Sequence, residues 1–209
     1  MNQDPKPNKQ QLRTERSTNA LLEAAMDLIV EGGFDALTFA TIGERSGYSR
    51  GLVSARFGSK EGLIDALIDR IVTSWSHKNV LPQAKGGSGL DGLLTMIDAI
   101  QAQAARNPRG LLVLYSLMFQ ATSDDLLRQR FAKFHESMRA DFAHFVRKGQ
   151  RDGSIRKGRS PDREGALLVG GLRGIGYQWL LDLNGFDPVG PLKYLHETTR
   201  ERLAAEPGS

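Results

Sequence analysis

The chain of 209 residues has no cysteine, which excludes disulfides and thiolate chemistry and suits a reducing cytoplasm. Its N-terminus, MNQDPKPNKQ, is polar and lacks the apolar segment of a secretory signal. The longest apolar run, 111–119, is broken by Ser116 and is far too short to span a bilayer. No strand-like alternation and no internal repeat appear. The histidines, His77, His135, His144 and His196, show no metal spacing, and neither HExxH nor GxSxG occurs. No catalytic residue, metal site or cofactor is therefore expected, and an enzyme is disfavoured. Charge of one sign is not concentrated either. The net charge of +4 favours polyanions only mildly, and residues 1–14 read as a flexible basic arm, with Lys6, Lys9 and Arg13. Such an arm either lies along phosphates or is a plain terminus.

What is present lies between Phe34 and Leu63, FDALTFATIGERSGYSRGLVSARFGSKEGL. Thr38 is placed to N-cap a short helix over 38–45, with Leu37 outside and Ile42 inside as a hydrophobic staple. Ser49 repeats the device for a helix over 49–56, flanked by Tyr48 and Val53. Between them Gly47 can take positive φ and reverse the chain. Two capped starts around a glycine turn spell either a helix-turn-helix or an ordinary helical hairpin. As a reader of the major groove, the second helix directs Arg50, Gly51, Leu52, Ser54 and Arg56 outward, while Val53 and Phe57 face the core. Arg50 is the candidate base reader, since a guanidinium matches guanine O6 and N7, and Leu52 suits a thymine methyl.

The run ALLEAAMDLIVEGGFDALTFATIGERSGYSRGLVSARFGSKEGLIDAL resembles the N-terminal DNA-binding domain of the tetracycline-repressor (TetR) family over its whole length. The resemblance is carried by Leu21, Leu22, Ala24, Ala25, Leu28, Ile29, Gly33, Phe34, Thr38, Ile42, Gly47, Ser49, Gly51, Phe57, Ser59, Lys60, Glu61 and Leu63. It implies an all-α protein, with a three-helix helix-turn-helix domain over 15–60 and a helical ligand-binding and dimerisation bundle over 61–209. It further implies that Lys60 and the Thr38 and Thr41 hydroxyls clamp phosphates, positioning the protein without reading bases. The chain departs from the family at Ser54, Ala55 and Arg56, where relatives usually carry aromatic groups, so the aromatic packing on the DNA backbone is in doubt and Arg56 is the substitute phosphate contact.

Beyond the motif, the pattern predicts a first helix over about 15–31 and a longer one from Ser59 to about Lys78, burying Leu63, Leu67, Ile71 and Trp75. The segment 82–89, PQAKGGSG, reads as a joint. A helix over 90–105 follows, then one opened by Asn107-Pro108. That helix, LLVLYSLMFQ, is apolar nearly all round and is expected at the centre of the bundle. Ser123 is placed to cap a long helix with the stripe Leu127, Phe131, Phe134, Met138, Phe142 and Phe145. Ser160-Pro161 and Asp187-Pro188 open the last two.

One recognition helix buries too little surface for tight specific binding, so a homodimer on palindromic operator DNA is expected. By resemblance, the last two long helices form the dimer seam. Gly170, Gly171 and Gly174 would allow close backbone approach, and Leu180, Leu181, Leu192 and Leu195 would complete the contact. The rival reading of GGLRGIG as a phosphate loop fits neither a P-loop nor GxGxxG. The resemblance also implies a small-molecule effector inside the bundle that releases DNA. Candidate ligand residues are Trp75, Tyr115, Met118, Phe119, Phe134, His135, Met138, Phe142, Arg173 and Tyr177. An aromatic and methionine stripe is equally plain core, His135 equally a core histidine, and Arg173 equally a partner for an acid across the dimer. The implied function is a ligand-responsive regulator, most simply a repressor. The alternative is a DNA-binding protein of the same fold that answers to a protein partner or acts architecturally.

Overall fold

The computed structural model describes residues 8–75 and 86–206, with the backbone alone for 72–75. The described residues are all-α, built from nine α-helices, and contacts divide the chain into units Met1–Ile71 and Val72–Ser209. None of the described helices is long and apolar enough to cross a membrane.

In the first unit, α1 (Lys9–Gly32) opens on a reciprocal cap. The Gln11 amide donates to Asn8 Oδ1 at 2.8 Å, and the Asn8 amide donates to Gln11 Oε1 at 2.7 Å. Two orphan amides are thereby satisfied, and the helix starts well before residue 15. Residues 9–14, expected in the arm, are helical. A single 3-10 turn (Phe34–Ala36) leads to α2 (Phe39–Ser46) and α3 (Arg50–Phe57). Gly47 takes the left-handed conformation, φ 75° and ψ 19°, and the Tyr48 amide then donates to the Gly43 carbonyl at 3.0 Å. Only glycine adopts that backbone without a Cβ penalty. Leu37, Ile42 and Val53 are buried, whereas Tyr48 is exposed, so the second staple is one-sided. Together with Leu21, Ala25, Ile29, Leu63 and Leu67 they form the core. Each fully buried leucine or isoleucine contributes about 1.5–3 kcal/mol over exposure. Arg45 forks onto the Glu31 carboxylate at 2.7 and 2.5 Å, tying α2 to α1. That bond lowers the carboxyl and raises the guanidinium from their ordinary values. Arg70, on α4 (Lys60–Trp75), donates to Asn19 Oδ1 at 2.8 Å and pairs with Glu23. The expected extension of this helix to Lys78, the joint at 82–85 and the Trp75 side chain lie outside the described residues.

The second unit contains α5 (Gly89–Arg106), α6 (Pro108–Gln120), α7 (Asp125–Asp152), α8 (Pro161–Leu181) and α9 (Val189–Leu203). Asp124 caps α7 by accepting from the Leu127 amide at 3.0 Å, so the cap falls one residue after Ser123. The α7 stripe from Leu127 to Phe145 is buried as expected, with Phe142 fully enclosed. The central helix is α7, which packs on α5, α6 and α8, and not α6. Phe119, near the end of α6, is 75% exposed, because an apolar sequence does not by itself supply neighbours on every side. Among the described residues the one extended pairing is a bridge between Ile155 and Ala204. Arg156 reinforces it: its amide donates to the Leu203 carbonyl at 2.9 Å and its Nε to the Ala204 carbonyl at 3.0 Å. The basic loop after α7 thus straps the end of α9.

Candidate functional site

On α3 the N-cap fixes which residues face outward. The Leu52 amide donates to Ser49 Oγ at 3.2 Å, so this hydroxyl is committed to the cap as acceptor. Arg50, Gly51 and Ser54 are exposed, Leu52 and Phe57 are half-buried, and Val53 is core. Arg56 departs from expectation. Its Nη2 donates to Ser17 Oγ at 3.2 Å on α1, so the guanidinium folds back along the domain. A helical position sets where Cβ points, and a long flexible arm then goes where its donors are satisfied.

Beside α3 lies a recess of about 470 Å³ lined by Leu37, Thr38, Phe39, Ala40, Arg50 and Lys60. It combines the positive dipole end of α2 with two cationic side chains, the setting that attracts a phosphate. Lys60 Nζ is parked 4.2 Å from the Phe34 ring centroid, a contact that a passing phosphate can outcompete. The two threonines divide their work. Thr41 Oγ1 donates to the Ala36 carbonyl at 2.8 Å and accepts from the Thr38 amide at 3.1 Å. Its proton is therefore spent, and Thr38 Oγ1, which accepts from the Thr41 amide at 3.1 Å and lies 3.0 Å from Thr41 Oγ1, is the more exposed of the two hydroxyls. Thr38 is better placed than Thr41 to touch a phosphate.

Sequence reasoning missed Gly62. A Cβ there would stand 2.2 Å from the Phe57 carbonyl oxygen, so the end of α3 packs directly on the first turn of α4. The only signal was a glycine just inside a helix start, where a better helix former is the default.

The second unit encloses a cavity of about 290 Å³. Its walls include Ile100, Gln101 and Ala104 on α5, Leu111 and Tyr115 on α6, Met138 on α7, Leu172, Arg173 and Trp179 on α8, and Val189 and Leu192 on α9. Of the residues expected around a ligand, it brings together Tyr115, Met138 and Arg173. The Tyr115 hydroxyl donates to the Arg173 carbonyl at 2.6 Å, and Gly176 leaves room for it: a Cβ there would meet that oxygen at 2.8 Å. Arg173 Nη2 donates to Met138 Sδ at 2.9 Å, and its guanidinium lies 5.2 Å from the Phe134 ring and 5.9 Å from the Tyr115 ring. Burial pulls Arg173 below the ordinary arginine value and pushes the Tyr115 phenol up.

The remaining expected ligand residues fall elsewhere. Phe142 is plain core, Phe119 is on the surface, and Tyr177 is exposed, stacked on Tyr115 at 6.1 Å. Met118 and His135 line a separate shallow depression with Thr122, Arg128 and Phe131. Burial, with the Arg173 and Arg139 charges, holds the His135 imidazole down to about 4 from 6.5, and its buried Nε2 has no hydrogen-bond partner among the described residues. The unfolded chain then binds this proton more readily, so the stability is present above pH 6.5 and is lost as pH falls through the 6.5-to-4 window. The full shift corresponds to about 3 kcal/mol, and about 1–2 kcal/mol is expected once solvent screening of the half-buried ring is allowed for. Between pH 7 and 4.5, the wild-type Tm should fall further than that of His135→Gln; parallel falls would remove His135 as the cause.

The expected dimer residues also divide. Gly170 and Gly174 on α8 are exposed, and a Cβ built on either meets nothing within 4 Å. With Leu167, Tyr177 and Leu181 they form a stripe at helical spacing along α8. Leu180 is half-buried. Gly171, Leu192 and Leu195 are used within the chain: a Cβ on Gly171 would meet Leu195 Cδ1 at 3.3 Å, and Leu192 is buried in the cavity wall. The α8–α9 packing within the chain uses residues that the resemblance had assigned to a dimer seam.

Residues 21–67 match the model for bacterial regulatory proteins of the tetR family, and residues 90–204 match that for the C-terminal part of BetI-type transcriptional repressors. The nucleoid occlusion factor SlmA of Actinobacillus pleuropneumoniae is 26% identical over 150 residues, covering 70% of this chain and 71% of the relative. A SmeT–triclosan complex superposes with a TM-score of 0.78 at 17% identity, covering 93% of this chain and 96% of the other. A transcriptional regulator from Saccharomonospora viridis in complex with choline gives 0.74 at 17% identity, covering 92% and 100%. At these identities the two structures share the fold with this chain.

Proposed function

Because the chain belongs to the tetR family of bacterial regulatory proteins, we propose that it is a cytoplasmic transcriptional repressor. As a homodimer it holds a palindromic operator, and it releases that operator when a small molecule fills the cavity of the second unit. The family and fold are those of transcriptional regulators, which are not enzymes. The observation that carries the reading is a doubly capped helix-turn-helix with Arg50 exposed, in the same chain as an apolar cavity of about 290 Å³ holding a few polar groups. Relatives of the same fold bound to choline and to triclosan support the ligand-responsive part.

In this mechanism Arg50 forks onto a guanine edge while Lys60, Thr38 and the N-terminus of α2 hold the flanking phosphate. Two such readers must sit about 34–36 Å apart to enter successive major grooves. A ligand that binds better to a conformer with a different spacing shifts the population away from the bound form. The two units join within α4, which makes it the segment through which such a shift passes.

Selection of bound sequences from random duplexes tests the reading. A palindrome should emerge. Arg50→Ala should lose preference at one base per half-site, a discrimination worth about 1–3 kcal/mol. Lys60→Ala should weaken all sequences alike and flatten the salt dependence by about one charge per protomer. If Arg50→Ala instead weakens every sequence equally, Arg50 contacts phosphate alone, as its place on the recess wall also allows. A second reading, favoured by the resemblance to a nucleoid occlusion factor, is a DNA-binding protein of this fold with no small-molecule effector. A thermal-shift screen repeated with operator DNA separates the two, since the second reading requires that no ligand dislodge DNA.

A further inference from the structure

The first two turns of α1 carry charge where local electrostatics opposes it. Lys9 is the first helical residue, the first turn holds no acid, and Arg13 and Arg16 follow. A helix N-terminus favours anions, and like charges at i,i+3 and i,i+4 repel, so this arrangement weakens the helix that displays it. At about 100° per residue the three side chains fall within an arc of about 60°, and all three are exposed. Glu15, the one acid between Lys9 and Leu22, stands about 100° or more away on another face. The reciprocal cap between Asn8 and Gln11 holds the turn in place regardless. Local rules broken in this way concentrate at functional sites.

This face adjoins α3. Arg56 Nη2, in the last turn of α3, donates to Ser17 Oγ at 3.2 Å, and that hydroxyl donates to the Thr14 carbonyl at 2.9 Å. Ser17 is buried and lies one turn after Arg13. The end of α3 is thereby tied to the turn of α1 that bears Arg13 and Arg16.

From this juxtaposition, and resting on the reading of α3 as the element that enters the groove, we propose that Lys9, Arg13 and Arg16 form a second phosphate-binding face. It grips the duplex backbone outside the bases that α3 reads. The occupant is a nucleic-acid backbone and not a lipid surface. Leu12 is the one large apolar side chain exposed on these two turns, and an interfacial helix needs an apolar stripe. From Lys9 to Arg16 the helix rises about 10 Å, the axial span of about three phosphates of one strand. A helical mount presents the cations without the ordering cost that a flexible arm bears on binding. Such contacts lengthen the footprint and add affinity, and they leave the choice of bases to α3.

Fluorescence anisotropy with the palindrome that the wild type selects tests the proposal, on duplexes with long and with trimmed flanks. The full chain is compared with the triple variant Lys9→Gln, Arg13→Gln, Arg16→Gln. A further variant adds Glu15→Arg to the triple, which returns two of the three lost charge units on another face. On long flanks the triple variant should bind more weakly. Its plot of log K against log salt should be shallower by about 0.9 per lost contact, or about 5 for three contacts in each of two protomers. Base preference should be unchanged, trimmed flanks should erase the difference from the wild type, and Glu15→Arg should restore little. Thermal unfolding without DNA should show the triple variant at least as stable as the wild type, since repulsion has been removed. An unchanged slope, a difference that survives on trimmed flanks, full recovery with Glu15→Arg, or a less stable triple variant overturns the proposal. So does binding to vesicles of phosphatidylserine and phosphatidylcholine that the triple variant loses while its DNA binding stays intact. A wild type that selects no palindrome rejects the reading of α3 itself. A wild type that selects one, with a triple variant of equal slope, rejects the phosphate face alone.

Discussion

Gly174→Glu is expected to leave a folded monomer whose operator affinity drops toward the non-specific level, a loss of about a thousandfold or more. The stripe Leu167, Gly170, Gly174, Tyr177 and Leu181 is exposed along α8, and Leu181 is 69% accessible. An apolar stripe of this length is the kind of patch that marks an association surface. A two-fold dimer uses the same patch from both copies, so one substitution places two carboxylates in a single seam. A stable pair buries about 1,200–2,000 Å² in total, and an unpaired charge at its centre costs several kcal/mol. The monomer should be indifferent, because a Cβ on Gly174 meets nothing within 4 Å and glutamate is the better helix former. That asymmetry separates folding from association. Light scattering should report one chain per particle with an unchanged thermal transition. A variant that remains dimeric at micromolar concentration would place the seam elsewhere.

How much of this was legible in the residues depends on the range over which each feature is decided. The Thr38 and Ser49 caps and the Gly47 turn are settled within four or five residues, and all three formed where local chemistry placed them. The α7 stripe from Leu127 to Phe145 is likewise carried by a single helix's periodicity, and it is buried. The early start of α1 was readable in principle, since Asn8 and Gln11 spell a capping pair, but the polar composition of residues 9–14 concealed it. Arg56 was not readable, because its partner Ser17 lies 39 residues away on another helix. Nor was the split between cavity and core. Phe142 and Met138 sit one helical turn apart on the same stripe, yet one is sealed and the other lines a space. That space depends on how α5, α6, α8 and α9 fail to fill it. Leu192 and Leu195 show the same limit, since nothing in their spacing says whether α9 packs on its own α8 or on a partner's.

Gly62→Ala should destabilise the first unit and sharply reduce operator affinity, although in a free helix the same change gains about 1 kcal/mol. The sign is what the experiment reads. A Cβ at this position would lie 2.2 Å from the Phe57 carbonyl oxygen and 3.3 Å from its carbon, and both are backbone atoms that cannot rotate away. The same carbonyl already accepts from the Ser59 amide at 2.8 Å, which holds it in the turn between α3 and α4. Relief therefore requires the end of α3 to retreat by about 1 Å, and overpacking of this kind costs about 1–3 kcal/mol. In the proposed function the displaced element is the one that would carry Arg50, Leu52 and Ser54 to the groove, so its register with the phosphate contact proposed for Lys60 should be lost along with the stability. Denaturant unfolding should show a lower midpoint, amide exchange should accelerate across α3, and binding should approach the non-specific level, about a thousandfold weaker. If Gly62→Ala equals or exceeds the wild type in stability and still selects the same palindrome, then α3 is not braced against α4 through the Phe57 carbonyl, and the rigid presentation of Arg50 has another source.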